Sequence, residues 1–195
     1  KKKGHWGEVF VKKQPLHIEV GMGKGRFLMD LARLHPDINY IGIDLSPDVL
    51  GVARRNIQTR YEQENRKVEN IALVAYDIER ILQIMNANDE IDRVYINFCN
   101  PWPRGKHKKK RLTHTRQLEK YKEFLAKDGE IYFKTDDDNL FIESLNYFKE
   151  SGFEIKKCTY DLANEPEFWD NIETEHEKMF KEQGIKIKAV IVKLI

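Results

Sequence analysis

The sequence predicts an α/β fold: a mostly parallel, seven-stranded sheet with helices on both faces and an antiparallel last strand. Short apolar runs alternate with stretches of helical period along the 195 residues, the order that builds a covered parallel sheet. The last two runs lack a helix-length crossover of the usual kind, so the final strand is expected to reverse direction.

The elements follow in order. Residues 17–20 form a first strand ending in glycines, and residues 26–35 a helix with Phe27, Leu28, Leu31 and Leu34 at helical spacing, stopped by Pro36. Residues 39–44 (NYIGID) make the second strand. Ser46 caps the next helix, with Pro47 at its first position, and that helix runs to residue 64. Residues 71–76 and 91–98 read as the third and fourth strands, with a helix over 78–85 between them. A helix over 118–126, a turn at Lys127-Asp128-Gly129 and a fifth strand over 130–135 come next. Residues 140–151 are helical with Gly152 as their cap. A sixth strand (153–160), a short helix (175–183) and a seventh strand (185–194) complete the chain.

Composition bounds the possibilities. The length suits one domain over residues 1–195. No apolar run approaches the ~20 residues of a membrane helix, and the basic start KKKGHWGEVF has no apolar signal core. With only Cys99 and Cys158, a reducing, cytoplasmic setting is expected. The six His form no cluster with metal-ligand spacing, so no metal is expected. The net charge of +2 hides an uneven layout: residues 104–116 hold seven Lys/Arg and no acid, whereas residues 161–177 hold seven Asp/Glu and no Lys/Arg.

The loop Glu19-Val20-Gly21-Met22-Gly23-Lys24-Gly25 lies between the first strand and the first helix. Gly21, Gly23 and Gly25 let the backbone come close to a ligand at the strand's carboxyl end. Arg26 breaks the dinucleotide pattern GxGxxG, and the GxGxG that remains suits a nucleoside with a charged amino-acid tail. Asp44, ending the second strand, can accept hydrogen bonds from ribose hydroxyls. Asp77, ending the third, either bonds an adenine amino group or caps the following helix.

After the fourth strand, Asn100-Pro101-Trp102-Pro103 makes a stiff turn at the sheet's carboxyl edge, with a Trp able to stack on a base. Arg104, Lys106, Lys108, Lys109, Lys110, Arg111 and Arg116 follow at once, a basic run beside the expected crevice that points to phosphate binding.

On these residues the sequence resembles the bacterial tRNA (guanine-N7-)-methyltransferases over nearly its whole length. The likeness rests on EVGMGKGRF at 19–27, GID at 42–44, NPWPRGKHKKKRL at 100–112, FKTDD at 133–137 and TEHE at 174–177. It implies a Rossmann-like class I methyltransferase that uses S-adenosyl-L-methionine, releases S-adenosyl-L-homocysteine and modifies a variable-loop guanosine of tRNA. It also implies a monomer or homodimer with no obligate protein partner and no membrane. Glu19, Asp44, Asp77 and Asn100 fall where the family binds the cofactor, and Asn100 at a position also regarded as catalytic. Arg104, Asp136 and Thr174, Glu175, His176 and Glu177 fall where it binds RNA. The family usually has Asp in place of Asn100 and Lys in place of Arg104, and Arg can bind phosphate bidentately.

Asn100 and Asp136 are thus the candidate catalytic groups, facing the charge that moves onto the purine. Glu175 and Glu177 are candidates to accept the guanine N1 and N2 hydrogens, and Lys108, Lys109, Lys110 and Arg111 to hold phosphates. Three rivals remain: an amino-group methyltransferase, disfavoured by Trp102 in the turn; a tRNA-binding homologue without activity, suggested by Asn100; and a nicotinamide dehydrogenase, disfavoured by Arg26.

Overall fold

A computed structural model of the chain describes residues 1–168 and 172–195; three residues of the acidic segment, 169–171, lie outside the described residues. The strands are β1 (Leu16–Val20), β2 (Asn39–Asp44), β3 (Ile71–Ala75), β4 (Ile91–Asn97), β5 (Leu125–Thr135), β6 (Phe153–Thr159) and β7 (Lys188–Leu194). The helices are α1 (Arg26–Leu34), α2 (Pro47–Gln63), α3 (Thr115–Lys122), α4 (Asp138–Glu150) and α5 (Glu175–Glu182). The seven strands form one sheet in the order β3-β2-β1-β4-β5-β7-β6. The first five pair in parallel. The last strand is antiparallel, as the sequence predicts, and it inserts between β5 and β6.

Central β1 is buried along its whole length, consistent with a strand covered on both faces. One core cluster joins β1, β4 and β5 to α3 and α4. On the other face Phe27, Leu28 and Leu31 of α1 pack with Tyr40, Ala53 and Tyr95. The strand order reverses between β1 and β4, and a crevice opens at the carboxyl ends of strands at such a reversal.

The helix expected over 118–126 starts and ends earlier, as α3, and two further elements differ. The helix expected over 78–85 is a 3-10 segment, Ile78–Gln83, with non-helical backbone at Arg80. Its carbonyls are held from outside, Ile78 by Gln117 Nε2 (2.9 Å) and Glu79 by Lys120 Nζ (2.6 Å). The turn expected at Lys127-Asp128-Gly129 is a bulge inside β5, with Asp128 at φ 64°. Ile91 pairs with Leu125 before it and Arg93 with Glu130 after it, so β5 absorbs the extra residues without leaving the sheet.

Candidate functional site

The loop from β1 to α1 is built on three residues with φ of 75°, 55° and 75° (Gly21, Gly23, Gly25), a left-handed backbone that costs a side-chain-bearing residue about 1–2 kcal/mol. Gly25 serves as the N-cap of α1, and a Cβ there would stand 2.9 Å from that of Ala53, so its absence also lets α1 approach α2. At Gly23 a Cβ would meet nothing within 4 Å, so that stretch of backbone faces open space. Asp44 ties the loop to β2: its Oδ2 accepts from the Gly23 amide at 3.0 Å and its Oδ1 from the Ser46 amide at 3.3 Å.

A cavity of ≈ 610 Å³ lies on this loop. Glu19 and the glycine loop line one side, Asn97 and Phe98 from the end of β4 another, and Glu173, Thr174, Glu175 and His176 close it from the start of α5. Arg26 and Glu175 form an ion pair across its rim. The His176 ring stacks on Phe98 at 5.7 Å between centroids.

Glu19 is only 2% exposed. Burial pushes its carboxyl up to about 8, against a hydrogen bond from Asn97 and the nearby charge of Lys134, while Asp44 adds to the rise. Asn97 Nδ2 donates to Glu19 Oε2 at 2.9 Å. A buried acid, a turned-out glycine backbone and the Asp44 carboxylate make a set of acceptors and backbone groups that fits a ligand carrying ribose hydroxyls and a cationic tail.

The NPWP turn lies outside this cavity's lining. Asn100 is exposed, and its Oδ1 accepts from the Trp102 amide at 3.0 Å, holding Trp102 at φ 41°. The amide facing Glu19 is therefore Asn97, which the sequence reading missed, although its place at the last position of β4 was a usable signal. Lys110 Nζ sits over the Trp102 ring at 4.9 Å. Asp77 caps the 3-10 segment, its Oδ1 accepting from Glu79 N at 3.0 Å, the second of its two expected roles and compatible with the first. Asp136 is half-buried at the end of β5, and its carboxylate makes no hydrogen bond or ion pair among the described residues.

Two of the expected RNA contacts are buried and paired inside the protein. Arg111 is 2% exposed. Its Nε donates to the Pro101 carbonyl at 2.7 Å, and its Nη1 pairs with Glu143 and donates to the Tyr147 hydroxyl at 3.1 Å. It pins the NPWP turn to α4, with Lys108 also on Glu143 at 2.6 Å. Arg104, Lys106, Lys109, Lys110 and Arg116 remain exposed.

Glu177 is likewise interior, 3% exposed. It forms a capping box with Thr174, each accepting the other's backbone amide at 3.0 Å. The same Oε2 accepts from Lys134 Nζ at 2.6 Å. Of the TEHE acids only Glu175 faces the cavity.

The fold and this crevice define a class: an S-adenosylmethionine-dependent methyltransferase with a Rossmann-like domain. A family model described as "Putative methyltransferase" matches residues 13–190. The chain belongs to the tRNA (guanine-N(7)-)-methyltransferase family. A member from Clostridium beijerinckii is 58% identical over 189 residues, 97% of this chain and 86% of that protein. One from Clostridium perfringens is 52% identical over 98% of this chain and 87% of the relative, and one from Acetivibrio thermocellus 47% over 97% and 86%.

Among solved structures the chain is similar to the 16S rRNA methyltransferase KamB, with a TM-score of 0.69 at 11% identity, covering 97% of this chain and 92% of that one. It is also similar to a 16S rRNA (adenine(1408)-N(1))-methyltransferase from Catenulisporales acidiphilia with its cosubstrate SAM, at 0.67 and 12%, covering 98% and 90%. At such identities the likeness concerns the fold alone.

Proposed function

We propose that this chain transfers the methyl group of S-adenosyl-L-methionine to N7 of a guanosine in the variable loop of tRNA. The observation that carries the reading is that one cavity is shared by two motifs, the glycine loop on one side and the 173–176 segment on the other. Relatives at 47–58% identity bearing that activity's name support it. No helix among the described residues is long and apolar enough to cross a membrane. The reading has the chain working in the cytoplasm, as a monomer or homodimer.

When bound, S-adenosyl-L-methionine supplies an activated sulfonium methyl group. Glu19, Asp44 and the glycine-loop backbone would hold it, with Asp77 near the base end. Guanine N7 carries an in-plane lone pair and no proton, so attack needs no prior general base. The chain's work is then orientation and stabilisation of the positive charge arriving on the purine. Asp136 supplies a carboxylate for that charge, and Glu175 an acceptor for the guanine N1 and N2 hydrogens. Asn100 acts by shaping the turn that carries Trp102. Arg104, Lys106, Lys109 and Lys110 provide exposed cations for the tRNA backbone.

The test is incubation with labelled S-adenosyl-L-methionine and bulk tRNA, followed by nucleoside analysis. The expected product is 7-methylguanosine. An N-methylated exocyclic amine would replace this reading with an amino-group methyltransferase, and cofactor binding without turnover would leave a tRNA-binding homologue.

A further inference from the structure

Lys134 is a lysine without solvent exposure on β5. Burying an ammonium is costly unless it is paired, so its partners say what it is for. Nζ donates to Glu177 Oε2 at 2.6 Å and to the Ile172 carbonyl at 3.1 Å. Both acceptors belong to the 172–177 segment, which closes the cavity. On its other side the ammonium lies 4.9 Å from the centre of the Phe27 ring, on α1 just after the glycine loop. In the sheet Lys134 is the register partner of Asn97, which bonds Glu19. Its charge acts on Glu19, and Glu177 and Glu19 in turn act on it.

We infer that Lys134 is a positioning residue that seats the 172–177 segment on the cofactor cleft and places one shared cation between Glu19 and Glu177, joining the cofactor side to the substrate side. Glu177 then serves as the segment's anchor, through the capping box and the ion pair together, while Glu175 is left facing the cleft. A fifth-strand residue so placed acts on RNA binding without touching RNA. The inference rests on the methyl-transfer reading above.

Glu19 faces Lys134 and Asp44. Lys134 faces Glu177, Glu19 and Glu173, and burial holds it below the usual lysine range. The other titratable groups lining the cleft are Lys24, Arg26 and Asp30 on the loop and α1, and Glu175 and His176 on α5, all unchanged in the variants below.

The test uses the full chain with Lys134→Met, Lys134→Arg, Glu177→Gln and the double variant Lys134→Met/Glu177→Gln. Steady-state methylation gives KM for tRNA and kcat, and calorimetric titration with S-adenosyl-L-methionine gives affinity against pH. Lys134→Met and Glu177→Gln are each expected to raise the tRNA KM about tenfold, and the double variant no further than the worse single, since both break one link. Lys134→Met should also weaken cofactor binding about tenfold between about pH 6 and about pH 7.5, because Glu19 loses the cation that favours its ionised form. Lys134→Arg keeps the charge and should keep the affinity.

A side chain that only fills space would be replaced by Met with neither effect. An unchanged cofactor affinity together with a wild-type tRNA KM in Lys134→Met overturns the inference, as do single effects that add in the double variant. If Lys134→Met does not fold, Glu177→Gln decides alone: a wild-type tRNA KM overturns it. Failure of the wild-type chain to bind the cofactor or to form 7-methylguanosine would instead fail the function reading.

Discussion

Replacing Glu19 by Gln removes a buried carboxyl whose ionisation is set against by its surroundings. Its pKa stands at about 8, against an ordinary 4.5, chiefly because burial disfavours the charge. At pH 7 the protonated form therefore outnumbers the carboxylate about tenfold, and a cationic ligand that needs the carboxylate loses about 1.4 kcal/mol of affinity. At pH 6 the loss reaches about a hundredfold in Kd, and above about pH 8 it vanishes. The sign for folding runs the other way. A raised carboxyl favours the folded state most at pH below 4.5, and that advantage is lost as pH rises from 4.5 to about 8.

Isothermal titration with S-adenosyl-L-methionine between about pH 6 and about pH 7.5 stays below the range where the ligand's own α-amino group titrates. The wild-type chain should tighten nearly tenfold per pH unit over this window, and Glu19→Gln should be flat. In urea unfolding, the stability of the wild type relative to Glu19→Gln should fall over the same interval. A flat wild-type affinity, or a Glu19→Gln variant that keeps the slope, refutes the reasoning from burial to charge to cofactor.

Gly25→Ala forces a left-handed residue to carry a Cβ 2.9 Å from that of Ala53. It should lower stability by about 2 kcal/mol or more, read as a fall of about 5 °C in Tm. Charge reversal at exposed Lys109 and Lys110 should weaken tRNA binding and flatten its salt dependence without altering cofactor affinity, read by filter binding across a salt series; unchanged tRNA affinity counts against the patch. Arg111→Met should instead lower Tm, leaving Glu143 with a missing partner, a result that thermal denaturation separates from a binding defect. Asn100→Asp keeps the acceptor that holds the Trp102 amide and should keep or raise turnover; a loss of tenfold or more in kcat would exclude that role.

Strand and helix alternation, the glycine loop and the reversal of the last strand were legible in the sequence because each depends on local spacing. A GxGxG run after an apolar strand has few other uses, and Arg26 removed the dinucleotide alternative without any coordinates. The NPWP turn and the exposed part of the basic run were equally visible. Boundaries failed where distant partners intervene. The bulge at Asp128 keeps residues 125–129 within β5 because β4 pairs on both sides of it, a constraint absent from the local turn signal.

The sequence by itself determined the class of fold, the cofactor loop and which short motifs carry charge. Only the tertiary structure decided which of those charges face solvent and which face inward. Arg111 looks like its lysine neighbours until it meets Glu143, 32 positions away. Glu177 looks like a substrate acid until it meets Lys134, 43 positions away. Asn97 rather than Asn100 reaches Glu19, from 78 positions away. A charged side chain is stable inside only against a partner that the fold delivers. The pairing energy that assigns it inward therefore lies in long-range contacts, and local spacing cannot encode them.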